Sequence, residues 1–323
     1  MSLPYSLEAV SPSLSLQPVN FLQDDPGVGG WEFLFEQAEG CDAAGIDRLC
    51  VSDHIVMGEN LGAYADPKAG GTEGGQQPTD SDGQWLDPLV VLSMTAARTK
   101  RTRLMTGILI AGLRRPATLA KSLSTLDTLS EGRLDIGVGV GWQREEYEAN
   151  GVAYRGRGAL LDETLEICQT LWREQAAAYQ SDSVRFEKIH LNPKPLQPSG
   201  VPIWVSGRLN KNVLRRIAKF GVGWIPWGAD AMKPFEGLEK IHEALAREGR
   251  EPKGFQCTSY LPTVEDDSGR LDVEAMVAPV GAMAEGGITD IRVTLPHLPT
   301  ERAAVEDYLS PLVTGFRRAA GRA

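Results

Sequence analysis

The sequence predicts an α/β fold, a single (β/α)8 barrel with insertions after the second and fourth strands. Three observations carry this reading. Short apolar runs alternate with amphipathic stretches along the whole chain. About eight such strand–helix pairs can be counted, the repeat of a closed parallel barrel with right-handed crossovers. The 323 residues exceed the ~250 of such a barrel by about 70, and the surplus falls between strands.

Residues 14–21 read as the first strand. Trp31, Leu34, Phe35, Ala38 and Cys41 then recur at helical spacing, and Gly45 stands where a left-handed cap ends the helix. Residues 48–52 (RLCVS) form the second strand. Asp87 and Pro88 open a helix running to Thr99, the first as N-cap and the second at the first helical position. Residues 103–110 are the third strand, and Pro116 opens a helix with Leu119, Leu123 and Leu126 inward. Residues 134–138 are the fourth. The stretch 160–172 is amphipathic, with Leu161, Leu165, Cys168, Leu171 and Trp172 on one side, and 184–191 reads as one strand of a surface hairpin. Strands at 201–206, 222–226, 255–261 and 288–295, with helices at 211–220, 232–248, 273–285 and 300–320, complete the repeat.

The surplus sits at 57–84, rich in Gly, Asp and Gln without apolar periodicity, and at 150–198, an extra helix plus the hairpin. The first predicts a loop over the site. No linker divides the chain, so 1–323 reads as one domain. With 33 basic and 43 acidic residues the net charge is −10, which argues against a nucleic-acid surface and a polybasic membrane anchor. No apolar run of about 18 residues exists and the N-terminus lacks a signal pattern, so a cytoplasmic protein is expected. Four scattered cysteines without a CxxC read as thiols in a reducing compartment, and the four histidines show no metal-ligand spacing.

Chemistry in a barrel lies at the C-terminal strand ends. There the chain delivers Asn20; Ser52, Asp53 and His54; Gly107 and Ile108; Gly139, Gly141 and Trp142; Ser206, Gly207 and Arg208; Pro226 and Trp227; and Leu295, Pro296 and His297. His54 beside an acid is the candidate general acid/base, and Asp53 either orients the imidazole or shapes the turn. The run Gly137-Val-Gly-Val-Gly-Trp142 fails the dinucleotide fingerprint, because Trp142 and Arg144 stand where its last glycine belongs in either frame. Alternating glycines on a strand instead clear one face for a flat ring or another backbone. Ser206, Gly207 and Arg208, just before a helix, bring a hydroxyl, free N–H groups and a guanidinium together, as a phosphate requires or as plain capping supplies. Trp85, Trp142 and Trp227 offer an apolar wall, or core packing.

Several stretches resemble the luciferase-like monooxygenase superfamily, especially its deazaflavin-dependent oxidoreductase branch. They are VSDH (51–54), WLDPL (85–89), the long block from Thr102 to Tyr147, RGALLDETLEICQTLW (157–172), FEKIHLNPKPLQPSGVPIWVSG (186–207) and GVGWIP (221–226). The resemblance covers residues 12–230 well and the remainder only in rhythm. It implies coenzyme F420, or alternatively FMN, across the C-terminal mouth. It places the phosphate near Ser206, Gly207 and Arg208 and His54 at the reactive edge; Asp53, Gly139, Gly141 and Trp142 are the further candidate cofactor contacts. It further implies a non-proline cis peptide at Gly107–Ile108 and a homodimer. Some sugar-phosphate dehydrogenases of the family carry a glutamate where Trp142 stands, so that substrate does not transfer. Glu145 and Glu146 lie nearby, but the helix they start is expected to point them elsewhere. The function expected is hydride transfer between F420 and a small-molecule substrate. The alternatives are an FMN monooxygenase served by a flavin reductase partner, as an F420 reductase would serve the first reading, and a non-catalytic flavin-binding barrel.

Overall fold

The computed structural model describes residues 11–267 and 269–322. Its elements follow in chain order: β1 Ser13–Leu16, β2 Phe21–Leu22, α1 Glu32–Ala44, β3 Arg48–Val51, β4 Gln84–Trp85, α2 Pro88–Arg98, β5 Arg103–Leu109, α3 Pro116–Leu129 and β6 Leu134–Val138. Then come α4 Arg144–Ala149, α5 Arg157–Arg173, β7 Ala177–Gln180, β8 Arg185–Ile189, β9 Ile203–Gly207, α6 Lys211–Phe220, β10 Gly223–Pro226 and α7 Pro234–Arg247. The chain closes with β11 Gln256–Tyr260, α8 Val273–Val277, α9 Val280–Glu285, β12 Asp290–Val293 and α10 Arg302–Ala319.

Strands β1, β3, β5, β6, β9, β10, β11 and β12 form a closed parallel barrel, with β12 paired back to β1. Local chemistry sets the element ends. The Asp87 carboxylate accepts from the N–H groups of Leu89 (2.8 Å) and Val90 (3.1 Å), which starts α2 at Pro88. Gly45 ends α1 at φ 93°, a left-handed position that a Cβ would strain.

Two expected elements are divided. The strand expected at 14–21 stops at Leu16, because Pro18 cannot donate to the ladder; Phe21–Leu22 instead pairs antiparallel with β4 outside the barrel. The helix expected at 273–285 breaks into α8 and α9 at Pro279, whose ring and missing N–H interrupt the helical bonding.

The outer strand faces and inner helix faces share one apolar core, including Leu14, Leu16, Leu49, Leu104, Leu134 and Ile203. A smaller cluster of Cys50, Met105, Trp204 and Ile225 fills the barrel interior. Burial pushes all four cysteine thiols up, so none is poised as a nucleophile. The stretch 57–84 lies between β3 and α2, and α4, α5 and the β7–β8 hairpin lie between β6 and β9. Among the described residues no helix is long and apolar enough to cross a membrane.

The N-terminal half of the barrel interior is charged. Arg48 donates to Asp290 Oδ1 (2.6 Å) and approaches Asp135 (3.4 Å), while Arg292 donates to Asp290 Oδ2 (3.1 Å). Thr258 (2.8 Å) and Ser15 donate hydroxyls to the same carboxylate. Burial alone would push the Asp290 carboxyl up, but the two guanidiniums and two hydroxyls outweigh it and hold it at about 2.

Candidate active site

A cavity of about 320 Å³ opens at the C-terminal ends of the strands. That volume lies at the low end of the ~300–1,000 Å³ usual for small-molecule sites. Its wall includes His54 and Asp53 after β3, Gly107 and Ile108 on β5, Gly139, Gly141 and Trp142 after β6, and Ser206 and Gly207 on β9. Nine of the ten residues expected as catalytic or cofactor-binding therefore line one space. Arg208, the tenth, is exposed and lies outside that lining. Trp85 and Trp227 complete the aromatic wall with Phe21 and Tyr64.

The Gly107–Ile108 peptide is cis, and the β5–β6 register shifts between Thr106 and Leu109. The glycines on and just after β6, Gly137 and Gly139, explain how the neighbouring strand tolerates that bulge. A Cβ at Gly139 would lie 2.8 Å from Ile108 Cδ1, and one at Gly137 would lie 2.3 Å from the Thr106 carbonyl oxygen. Of the two readings of the alternating glycines, close backbone approach is thus realised in the structure. Its consequence is that Ile108 stands in the cavity as an apolar shelf, with Gly107, Gly139 and Gly141 beside it and the Ser206 hydroxyl in the same wall. A shelf without side-chain relief, next to a hydroxyl at a strand end, fits a flat ring carrying a phosphate tail.

His54 is held from one side by a carboxylate and from two others by rings. Glu146, fully buried, places Oε2 3.3 Å from His54 Nδ1 and accepts the Ile55 N–H on Oε1 at 2.6 Å. The indoles of Trp85 and Trp142 meet the imidazole nearly edge-on, at 4.7 and 5.8 Å between centroids. With Nδ1–H donating to the carboxylate, Nε2 remains the acceptor, and no protein group among the described residues bonds to it.

The expectation that Glu146 points elsewhere is overturned. Gln143 and Glu146 are three residues apart at the start of α4 and so share a face. Gln143 clamps Gly58 through a reciprocal amide pair, both bonds 2.9 Å, while Glu146 takes His54 and Ile55. Together they fasten the loop after β3 to α4.

Asp53 does not orient the imidazole. It accepts a bidentate pair from Arg114 (2.6 and 2.9 Å) and the Ile110 N–H (2.8 Å), tying the loop after β3 to the end of β5. Burial pushes its carboxyl up against the pull of Arg114. Sequence adjacency suggested the wrong acid. The available signal for the right one was the Gln143/Glu146 spacing ahead of the apolar Tyr147.

The segment 57–84 is drawn over the cavity through its backbone. Tyr154 Oη (2.8 Å) and Arg157 (2.7 Å) donate to the Ala69 carbonyl, and the Trp227 indole donates to that of Gly70 (3.0 Å). Tyr64, Gly70, Gln77 and Pro78 thereby join the lining.

Comparison with known proteins fits this geometry. The model of the luciferase-like monooxygenase family matches residues 14–275. An uncharacterized protein of Mycobacterium tuberculosis is 34% identical over 229 residues, covering 70% of this chain and 76% of its own. An F420-dependent glucose-6-phosphate dehydrogenase of Kineococcus radiotolerans is 29% identical over 284 residues, 85% of this chain and 75% of its own. Among solved structures, an F420-dependent secondary alcohol dehydrogenase superposes with a TM-score of 0.72 at 17% identity, covering 95% of this chain and 99% of its own. The oxygenating constituent of 3,6-diketocamphane monooxygenase from Pseudomonas putida, in complex with FMN, gives 0.69 at 14%, covering 94% and 97%. A family model spanning most of the barrel, on a chain whose strand ends build this cavity, identifies the protein as a member of the luciferase-like monooxygenase family.

Proposed function

We propose that this member is an F420-dependent oxidoreductase that moves a hydride between the deazaflavin and a small organic substrate, with His54 as the proton donor or acceptor. The observation that carries the proposal is the fixed imidazole. Buried Glu146 and two indoles hold His54 in an apolar cavity, with Nε2 unbonded by any described residue. Such a group is placed to exchange one proton with a substrate next to the ring. When bound, F420 supplies a ring carbon that gives or takes hydride and does not readily activate oxygen.

The chain's own residues do the rest. Ile108 and the flanking glycines would take the ring face, Ser206 and Gly207 would hold the phosphate, and the segment 57–84 would limit water. The relationship to an F420-dependent dehydrogenase over 85% of this chain supports the cofactor assignment. FMN is the competing reading, favoured by the fold shared with an FMN-bound oxygenase. Titrating the purified protein with each cofactor and following ring fluorescence tests the choice. Tight F420 binding with weak FMN binding is expected. Tight FMN binding without F420 binding overturns the proposal.

A further inference from the structure

We infer that the floor of the cavity is a subsite for a substrate carboxylate, with the Tyr260 hydroxyl as its specificity-determining contact and Arg292 supplying the charge beside it. The inference rests on the site assigned above and concerns what that site accepts.

Strand alternation builds the floor. Residues two apart on a strand face the same side. Ser15, Cys50, Thr258 and Asp290 form a buried layer inside the barrel. Gln17, Ser52, Tyr260 and Arg292 each stand two residues further on, and all four line the cavity. They lie on or just after β1, β3, β11 and β12, which are contiguous in the barrel. The Ile108 shelf, Gly139 and Ser206 belong instead to β5, β6 and β9. A polar arc thus shares the mouth with an apolar shelf, and a substrate beside the ring would meet the arc.

Tyr260 is the accessible member of that arc. It is 42% exposed, and no described residue accepts from its hydroxyl. In the β11–β12 register it is the direct partner of Arg292, whose Cζ lies 5.9 Å from the phenol ring centroid. Its exposed surface lies within the recess, so burial still pushes the phenol up, against the pull of Arg292. Tyr64, from the segment over the cavity, is pushed up by burial and by Tyr260, as two phenols turned toward one space would be.

The charge at the floor is in positive excess. Arg103 holds Asp135 through two bonds (2.8 and 3.0 Å), and Arg48 reaches that carboxylate only at 3.4 Å. Arg48 and Arg292 therefore share Asp290. Asp53, the other acid of the lining, is met by Arg114. Two guanidiniums on one buried carboxylate favour a further anion in the low dielectric of the interior. A carboxylate carries the single charge that the excess calls for and accepts from a phenol, whereas a phosphate dianion overshoots it.

Cyclohexanecarboxylate and cyclohexanecarboxamide have nearly the same shape and differ in charge. Each is titrated into the full chain by calorimetry, alongside a separate F420 titration. Wild type should bind the carboxylate about tenfold more tightly than the amide. Tyr260→Phe should cut the carboxylate affinity about tenfold and the amide affinity clearly less. Because Tyr260 donates to no described residue, this variant should keep the wild-type thermal midpoint. Should it not fold, Gln17→Glu decides: a carboxylate added to the same floor should abolish the preference for the anionic probe. Equal affinities in wild type, an unchanged ratio in Tyr260→Phe, a preference retained in Gln17→Glu, or tighter binding of cyclohexyl phosphate than of cyclohexanecarboxylate each overturn the inference. The two titrations fail separately. Loss of F420 binding with the probe contrast intact counts against the cofactor assignment and leaves the subsite standing, and F420 binding without the contrast overturns the subsite alone.

Discussion

The two ends of the barrel interior carry polar groups for opposite purposes. At the N-terminal end Arg48, Asp135, Asp290, Arg292, Ser15 and Thr258 pair their charges and hydroxyls with one another, although Arg48 Nε and Arg292 Nε have no partner among the described residues. At the C-terminal end His54 Nε2 has no protein partner among the described residues, inside an aromatic wall. A closed network fixes geometry, because any displacement strands a charge in low dielectric. An open set awaits a ligand, because unmet donors and acceptors are costly unless something else meets them. Arg292 joins the two ends: bonded to Asp290 beneath, it also reaches the cavity wall.

The largest effect expected is at the open end. His54→Gln should lower kcat/KM by roughly 10²–10⁴-fold with F420 affinity retained, read by steady-state turnover beside cofactor fluorescence. Full activity in this variant would reduce the mouth to a binding surface. The closed end comes next. Asp290→Asn leaves buried Arg292 without its carboxylate and Arg48 with only the 3.4 Å contact to Asp135, and should cost about 3–5 kcal/mol in urea unfolding at neutral pH. The folded carboxyl sits at about 2, below its ordinary value, so its stabilisation is fully present above pH ~4 and is lost as pH falls through about 2. Wild-type and variant stabilities should therefore converge on acidification, and a constant gap would break the contrast between the two ends.

Glu146→Gln tests whether the carboxylate positions the imidazole. Loss of a hydrogen bond to a charged group is worth about 1.5–3 kcal/mol, so kcat/KM should fall about tenfold or more with the circular dichroism spectrum unchanged. The companion Asp53→Asn should instead lower the thermal midpoint, since Asp53 bonds Arg114 and not His54. The smallest effect concerns the glycines between the two ends. Gly137→Ala drives a Cβ toward the Thr106 carbonyl at 2.3 Å and should destabilise by about 1–3 kcal/mol, measured by thermal unfolding.

Much of the barrel was legible because its signals are local. Asp87-Pro88 marks a helix start wherever it is placed, and the apolar period of α6 (Lys211–Phe220) reads directly from the chain. The candidate site was legible as a set of strand ends, and His54, Gly107, Ile108, Gly139, Trp142 and Ser206 do meet in one cavity. The acid beside the imidazole was not legible, because it lies 92 residues away and the nearer Asp53 is taken by Arg114. Nor was the path of 57–84, which is held by backbone carbonyls that every residue possesses.

By itself the sequence determined the alternation of strands and helices, the excess of length over a bare barrel, and the residue types at the mouth. Periodicity, caps and turn formers act over a few residues and survive without knowledge of neighbours. Tertiary structure alone decided which acid serves His54 and which glycines admit the β5 bulge. Those outcomes depend on which groups barrel closure brings within hydrogen-bond distance, and closure joins residues that the linear chain keeps far apart.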